Sequence, residues 1–277
     1  VSLNGEWAFR YAENLTAPFS NGDTLTVPGI IQMQSLQKPG RPYGTPHYVN
    51  TQYPWDGHEK LHPGQIPQEY NPIGEYKRNF TLPEEWANCY LRLNGADSAA
   101  AVWCNGVYIG YTEDTFTPAE FDMTEAVQPG ENEVTIQVYR FCSGSWLEDQ
   151  DFWRFSGIFR DVFLYAAPSA HVRDMRVIAD YDGTNGIFSA TLDIAGKCSV
   201  KSILTDENGT VIAESNEKES VNWTIENSMP WSAEIPNLYT FTVILTDESG
   251  NEIEVSRTKV GFRRFELKNG IMCLNGK

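Results

Sequence analysis

Between Glu133 and Tyr139 the chain alternates Val134, Ile136 and Val138 with Thr135 and Gln137, the period-2 pattern of a strand with one buried face. The same alternation recurs at Phe188, Ala190, Leu192 and Ile194, and again at Tyr239, Phe241, Val243 and Leu245. Ala101–Cys104 and Val107–Tyr111 flank Asn105-Gly106, the dipeptide suited to a type I′ turn because both of its central residues need positive φ. A further strand is predicted over Ile158–Tyr165, and a hairpin over Phe265–Lys268, Asn269-Gly270 and Ile271–Leu274. Asn208-Gly209 and Ser249-Gly250-Asn251 punctuate the later strands at the spacing of a small sandwich. No long stretch before residue 166 carries helical periodicity. These patterns predict an all-β chain.

Texture changes around Ala166–Ala170. Six of the eight Trp precede Ser169. So do 10 basic against 21 acidic residues, net −11, leaving 11 against 16, net −5, from Ser169 onward. The predicted domains are therefore 1–168 and 169–263, the second about the length of an immunoglobulin-like sandwich but without the Cys-Trp-Cys pattern of antibody domains. Residues 264–277 stand apart: a second turn signal, Asn275-Gly276, follows the last hairpin with no strand after it, which predicts that the natural protein continues.

The net charge of −16 disfavours nucleic acid, whose phosphates bind through clustered Lys and Arg, and disfavours anionic membrane surfaces. No apolar run approaches the ~20 residues of a membrane span. Five cysteines without a Cys-x-x-Cys pair read as buried thiols rather than a disulfide framework or a metal site. His58 and His62 are four apart, but Pro63-Gly64 argue against a helix that would present both to a metal. Gly-x-Ser-x-Gly, P-loop and dinucleotide-binding fingerprints are absent.

The densest chemistry lies in Ser143–Gly157, where Glu148, Asp149, Asp151, Trp146, Trp153 and Arg154 crowd together between predicted strands. Aromatic faces stack on the C–H face of a sugar, and carboxylates accept hydrogen bonds from its hydroxyls. Carboxylate oxygens equally suit a hard cation. A solvated acidic turn beside core tryptophans is the bland alternative. Glu148 and Asp151 are not expected to act as a glycosidase pair, because two acids on one short loop would hardly bracket a scissile bond. The loop from Arg41 to Asn71, rich in Pro, Gly, Tyr and His, has no clear periodicity, and long loops of this kind are often functional.

LEDQDFWRFSGIFRDV (Leu147–Val162) closely resembles the signature of the large bacterial β-galactosidases of glycoside hydrolase family 2. SLNGEW (Ser2–Trp7), YVNTQYP (Tyr48–Pro54), NPIGEYKRNF (Asn71–Phe80), DSAAAVWCNGVYIGY (Asp97–Tyr111) and AEFDMTEAVQPGEN (Ala119–Asn132) extend the resemblance in order. WSAEIPNLY (Trp231–Tyr239) and VGFRRFELKNGIMCLNGK (Val260–Lys277) carry it to the end. The resemblance implies a jelly-roll, galactose-binding-like sandwich, then an immunoglobulin-like sandwich, then a TIM-barrel catalytic domain that would begin where this chain stops. It implies hydrolysis of terminal β-D-galactosides with retention. Both catalytic glutamates would lie on the barrel, so no catalytic residue is expected here.

By the same resemblance Asp151 would hydrogen-bond galactose hydroxyls and ligate sodium. Asp97 would match a substrate-contacting position, Trp153 would pack or wall the sugar pocket, and Glu148, Asp149 and Arg154 would brace the loop. Na⁺ and Mg²⁺ are expected only in the complete enzyme, which the family suggests is a homo-oligomer, while the fragment would be monomeric or weakly associated. The compartment, bacterial cytoplasm or periplasm, is left open. A free-standing carbohydrate-binding module is the alternative function.

Overall fold

In a computed structural model, which describes residues 1–84, 86, 88–148 and 151–277, the chain divides into two units, Val1–Ala166 and Ala167–Lys277. The first unit begins with β1 (Gly5–Ala12), β2 (Asp23–Val27), α1 (Ile31–Leu36), β3 (His47–Val49), β4 (Ile73–Leu82), β5 (Tyr90–Leu93) and β6 (Ala96–Asp97). It continues through β7 (Ala99–Cys104), β8 (Val107–Thr112), β9 (Ala119–Asp122), β10 (Gly130–Tyr139), α2 (Ser145–Glu148), β11 (Phe152–Arg154), β12 (Gly157–Ile158) and β13 (Val162–Tyr165). The second unit holds β14 (His171–Tyr181), β15 (Gly186–Ala195), β16 (Ser199–Thr205), β17 (Val211–Ser215) and β18 (Ser220–Ile225). After these come β19 (Tyr239–Thr246), β20 (Glu252–Val260), β21 (Phe265–Lys268) and β22 (Ile271–Leu274). Two short helices among so many strands, in the described residues, make this an all-β protein. Among the described residues no helix is long and apolar enough to cross a membrane.

In the first unit an antiparallel sheet, ordered β2-β1-β4-β10-β7-β8, packs against a smaller sheet ordered β13-β5-β9. Alternation explains the packing. Val134, Ile136 and Val138 of β10 are wholly buried, and they share one core with Trp7, Phe9 and Tyr76 from the larger sheet and Leu91, Leu93 and Leu164 from the smaller. Each such side chain removed from water contributes about 1.5–3 kcal/mol before entropy is counted. The result is the jelly-roll sandwich that the resemblance implied.

The β7–β8 hairpin turns on Asn105 and Gly106 with φ of 50° and 80°. The Asn105 side chain also accepts the Glu133 N–H at 2.9 Å and donates to the Ala126 carbonyl at 2.9 Å, pinning the turn to β10. A methyl group at Gly106 would meet no atom within 4 Å. Gly106→Ala is therefore expected to cost only the left-handed backbone penalty, about 1 kcal/mol, measurable by urea unfolding. A much larger loss would mean that the turn is packed.

The strand predicted over Ile158–Tyr165 is split into β12 and β13. Its partner chain kinks at Asn94-Gly95, so β12 pairs with β6, β13 pairs with β5, and Phe159–Asp161 cross between the two ribbons. A Cβ at Gly95 would stand 2.9 Å from the Phe159 ring, which explains a glycine there. β3 is a strand within the Arg41–Asn71 loop that carried no periodicity, and it pairs with β11.

The second unit is a sandwich of β14-β15-β18 on β17-β16-β19-β20. Phe188, Trp223 and Phe241 meet at its centre, with Phe188 stacked 5.2 Å from Trp223. Aromatic packing holds together a core that contains no disulfide: all five cysteines are free thiols, four buried and Cys198 half-buried. Burial pushes the Cys89 and Cys104 thiols up to about 11, far from the thiolate form that reacts. The β21–β22 hairpin turns on Asn269 and Gly270, again both at positive φ.

Candidate functional site

The segment after β10 is held by an aromatic clamp. Tyr53 and Trp55 stack 5.2 Å apart with rings nearly parallel, and Trp146 packs 4.6 and 4.9 Å from them. The Trp146 indole donates to the Gln65 carbonyl at 2.7 Å, and the Tyr53 hydroxyl donates to the Trp146 carbonyl at 3.1 Å. The long loop is thus fastened to the acidic-aromatic segment. Trp146 serves this clamp, whereas Trp153 stands half-exposed on the surface.

The exposed chemistry gathers on the ribbon of β3 and β11, where Trp153 faces Tyr48 and Arg154 faces His47. Asp151 precedes β11 with φ of 52°, a left-handed conformation that Asp tolerates better than most residues. Its N–H donates to the Asn50 carbonyl at 3.3 Å, and its carboxylate accepts the Tyr48 hydroxyl. That hydrogen bond holds the Tyr48 phenol above its ordinary pKa, while the Asn50 side chain pulls it the other way. Trp153 lies 5.4 Å from Tyr48 and stacks 6.1 Å from Phe155. A carboxylate edged by aromatic rings on an open surface can accept hydroxyl hydrogen bonds while the rings cover an apolar C–H face.

Asp97 lies elsewhere. It pairs with Gly157 on the β6–β12 ribbon and is 7% exposed. Burial is the largest influence on its carboxyl and pushes it up to about 6. The positive charges of Arg154 and Arg140 oppose that rise, and the Glu148 carboxylate adds to it. Arg154 is itself buried, pointing in beneath the ribbon that exposes Trp153. The ribbon therefore brings Asp151 and Trp153 together on its surface, while Asp97 lies buried on the β6–β12 ribbon within reach of the Arg154 charge. Glu148 is exposed at the end of α2, and Asp149 falls outside the described residues. Tyr48 and Asn50 are the neighbours of Asp151 that sequence reasoning did not single out, although YVNTQYP already marked their segment.

Among the described residues there is no group of three or more His, Cys, Asp and Glu placed to hold a metal ion. Asp151 supplies one carboxylate, which is not a sodium site by itself. His58 and His62 lie in turns and coil.

The description "Glycosyl hydrolases family 2, sugar binding domain" matches residues 1–168, and "Glycosyl hydrolases family 2" matches residues 170–263. The chain belongs to glycosyl hydrolase family 2. Among family relatives, a β-galactosidase of Halalkalibacterium halodurans is 45% identical across the whole of this chain, which covers 29% of that protein. One from Clostridium acetobutylicum is 41% identical with 32% covered, and the β-galactosidase large subunit of Latilactobacillus sakei is 34% identical with 48% covered. The chain thus spans between 29% and 48% of the length of these relatives. Solved β-glucuronidases share the fold. That of Ruminococcus gnavus aligns over all of this chain and 47% of its own, with a TM-score of 0.69 at 21% identity. That of Bifidobacterium dentium aligns over all of this chain and 50% of its own, with a TM-score of 0.74 at 23% identity. The family read from the motifs and the two sandwiches are both found.

Proposed function

We propose that this chain is the amino-terminal, sugar-contacting part of a β-galactosidase, and that the complete enzyme hydrolyses terminal β-D-galactosides with retention. The observation that carries the reading is the exposed ribbon on which Asp151, Tyr48 and Trp153 meet, in a chain whose similar proteins are named β-galactosidases. Asp151 accepts hydrogen bonds from adjacent galactose hydroxyls, held in place by the Tyr48 hydroxyl and the Asn50 backbone. Trp153 covers the sugar's C–H face. Asp97 acts through the charge it shares with Arg154, rather than by touching the sugar.

Retaining hydrolysis needs two carboxyl groups about 5–5.5 Å apart on either side of the bond. In this reading both come from the remainder of the enzyme, so the 277-residue chain is inactive alone. Na⁺ at Asp151, and Mg²⁺ elsewhere, would be completed there as well, supplying fixed positive charge. The same exposed ribbon favours one other reading, a free-standing carbohydrate-binding module.

The deciding experiment is hydrolysis of a chromogenic aryl β-galactoside by this chain beside the complete reading frame, with calorimetric titration of lactose into the chain. Activity confined to the longer protein supports the proposal. Turnover by the short chain would place a catalytic pair within it and overturn the assignment. Tight lactose binding by an inactive chain whose reading frame goes no further would favour the binding module.

A further inference from the structure

We propose that Arg140, which lies off the sugar-facing surface, is a positioning residue for it: its buried guanidinium sets the spacing of the two strands that carry Tyr48 and Asp151–Trp153. The kinetic consequence rests on the sugar-facing reading above. The brace itself does not.

Arg140 follows β10 directly and is 2% exposed. Its backbone is bolted down, since its N–H donates to the Pro72 carbonyl at 3.0 Å and the next residue, Phe141, exchanges two hydrogen bonds with the Asn71 side chain at 2.9 and 3.0 Å. From that anchor the side chain reaches three separate segments. Nη2 donates to the Arg154 carbonyl at 2.9 Å and to the Thr45 carbonyl at 3.2 Å, and Nη1 donates to the Tyr70 hydroxyl at 3.3 Å. Thr45 stands two residues before β3, and Arg154 ends β11 opposite His47. One nitrogen therefore ties together the two strands of the ribbon at the end where they meet.

The ribbon needs such a tie. Its ladder has three residue pairs, and a lone two-stranded ribbon is marginal in water. The planar guanidinium fork holds donors at fixed angles, whereas a lysine ammonium is a single point that cannot span a carbonyl of β11, a carbonyl just before β3 and a phenol on a third segment. The loop is shaped around the fork. Gly44 has φ of 76°, and a Cβ there would stand 3.4 Å from the Tyr70 hydroxyl, 3.5 Å from that of Tyr11 and 3.7 Å from Arg140 Nη1.

Arg140→Lys tests this with two readouts. In the 277-residue chain, hydrogen exchange of peptides spanning residues 45–50 and 151–155 is expected to quicken at least tenfold, with β4 and β10 unchanged. In the complete enzyme, KM for an aryl galactoside and the inhibition constant of free galactose are expected to rise about tenfold, with kcat within threefold of wild type, the signature of lost uniform binding. Unchanged exchange in the ribbon overturns the brace. A loosened ribbon with wild-type KM, or a fall in kcat at constant KM, overturns the positioning role. Should Arg140→Lys fail to fold, Tyr70→Phe removes one hydrogen bond from the same guanidinium; faster ribbon exchange with a twofold to threefold rise in KM sustains the proposal, and wild-type values for both overturn it. A complete wild-type protein without β-galactosidase activity would defeat the functional reading, while the exchange data would still decide the brace.

Discussion

Asp151→Ala in the complete enzyme is expected to lower kcat/KM for a galactoside by about a thousandfold, equivalent to about 4 kcal/mol of transition-state stabilisation. The size follows from the chemistry. Hydrogen bonds to an ionised acceptor are worth about 1.5–3 kcal/mol each, and a carboxylate facing two neighbouring hydroxyls makes two of them. Asp151 is exposed, and its partners are the Tyr48 hydroxyl and the Asn50 backbone rather than core groups, so the loss belongs to the sugar and not to the fold. Alanine at φ of 52° adds a backbone penalty of about 1 kcal/mol, confined to the loop. Asp151→Asn separates the two effects: asparagine accepts the left-handed conformation but lacks the charge, and should fall between wild type and alanine. Steady-state kinetics with an unfolding midpoint for each variant provides the check. Wild-type kinetics in Asp151→Ala would remove Asp151 from the site.

Asp97→Asn is expected to stabilise the first unit at neutral pH. In the folded chain the Asp97 carboxyl is pushed from 3.8 up to about 6, chiefly by burial. Because the folded pKa exceeds the unfolded one, the folded state holds the extra proton between these values. Stability therefore falls as pH rises from about 4 to about 6, by about 3 kcal/mol in all. Asparagine keeps the shape and never ionises. The variant should match wild type near pH 4 and exceed it by up to about 3 kcal/mol at pH 7.5. Tryptophan fluorescence suits the measurement, since six of the eight Trp precede Ser169. A variant less stable than wild type at pH 7.5 would mean that attraction to Arg154 outweighs the burial cost, and the buried charge would then be a net source of stability.

Strands with one buried face were legible residue by residue. β10 from Glu133 to Val138, β15 from Phe188 to Ile194 and β19 from Tyr239 to Val243 alternate apolar with polar positions, and water enforces that period wherever one face is covered. The Asn-Gly turns were legible because few other dipeptides accept two successive positive φ values, as Asn105-Gly106 and Asn269-Gly270 do. β3 and β11 were not. Each is three residues long and buries only its last residue, Val49 or Arg154, so neither leaves a period to read; only their pairing with each other makes them strands. The break between β12 and β13 was hidden for a related reason, since it is dictated by a kink in the partner at Asn94-Gly95.

The sequence by itself determined the all-β class, the two-sandwich order, the family and the segment in which the chemistry lies, because these rest on local periodicity and on contiguous motifs. Tertiary structure alone decided which partners and which surroundings Asp151, Asp97, Arg140 and Arg154 have. Asp151 and Tyr48 are 103 residues apart in sequence and share a hydrogen bond. Asp97, expected as a substrate contact, is buried within reach of the Arg154 charge, and Arg140, unremarked in the sequence, donates to the Arg154 carbonyl of β11 and to the Thr45 carbonyl just before β3. A carboxylate or a guanidinium has the same formula in water and in a protein interior. Its charge state and its partners are set by the dielectric and by the groups that the rest of the chain folds around it, and those come from residues too distant in sequence to form a pattern.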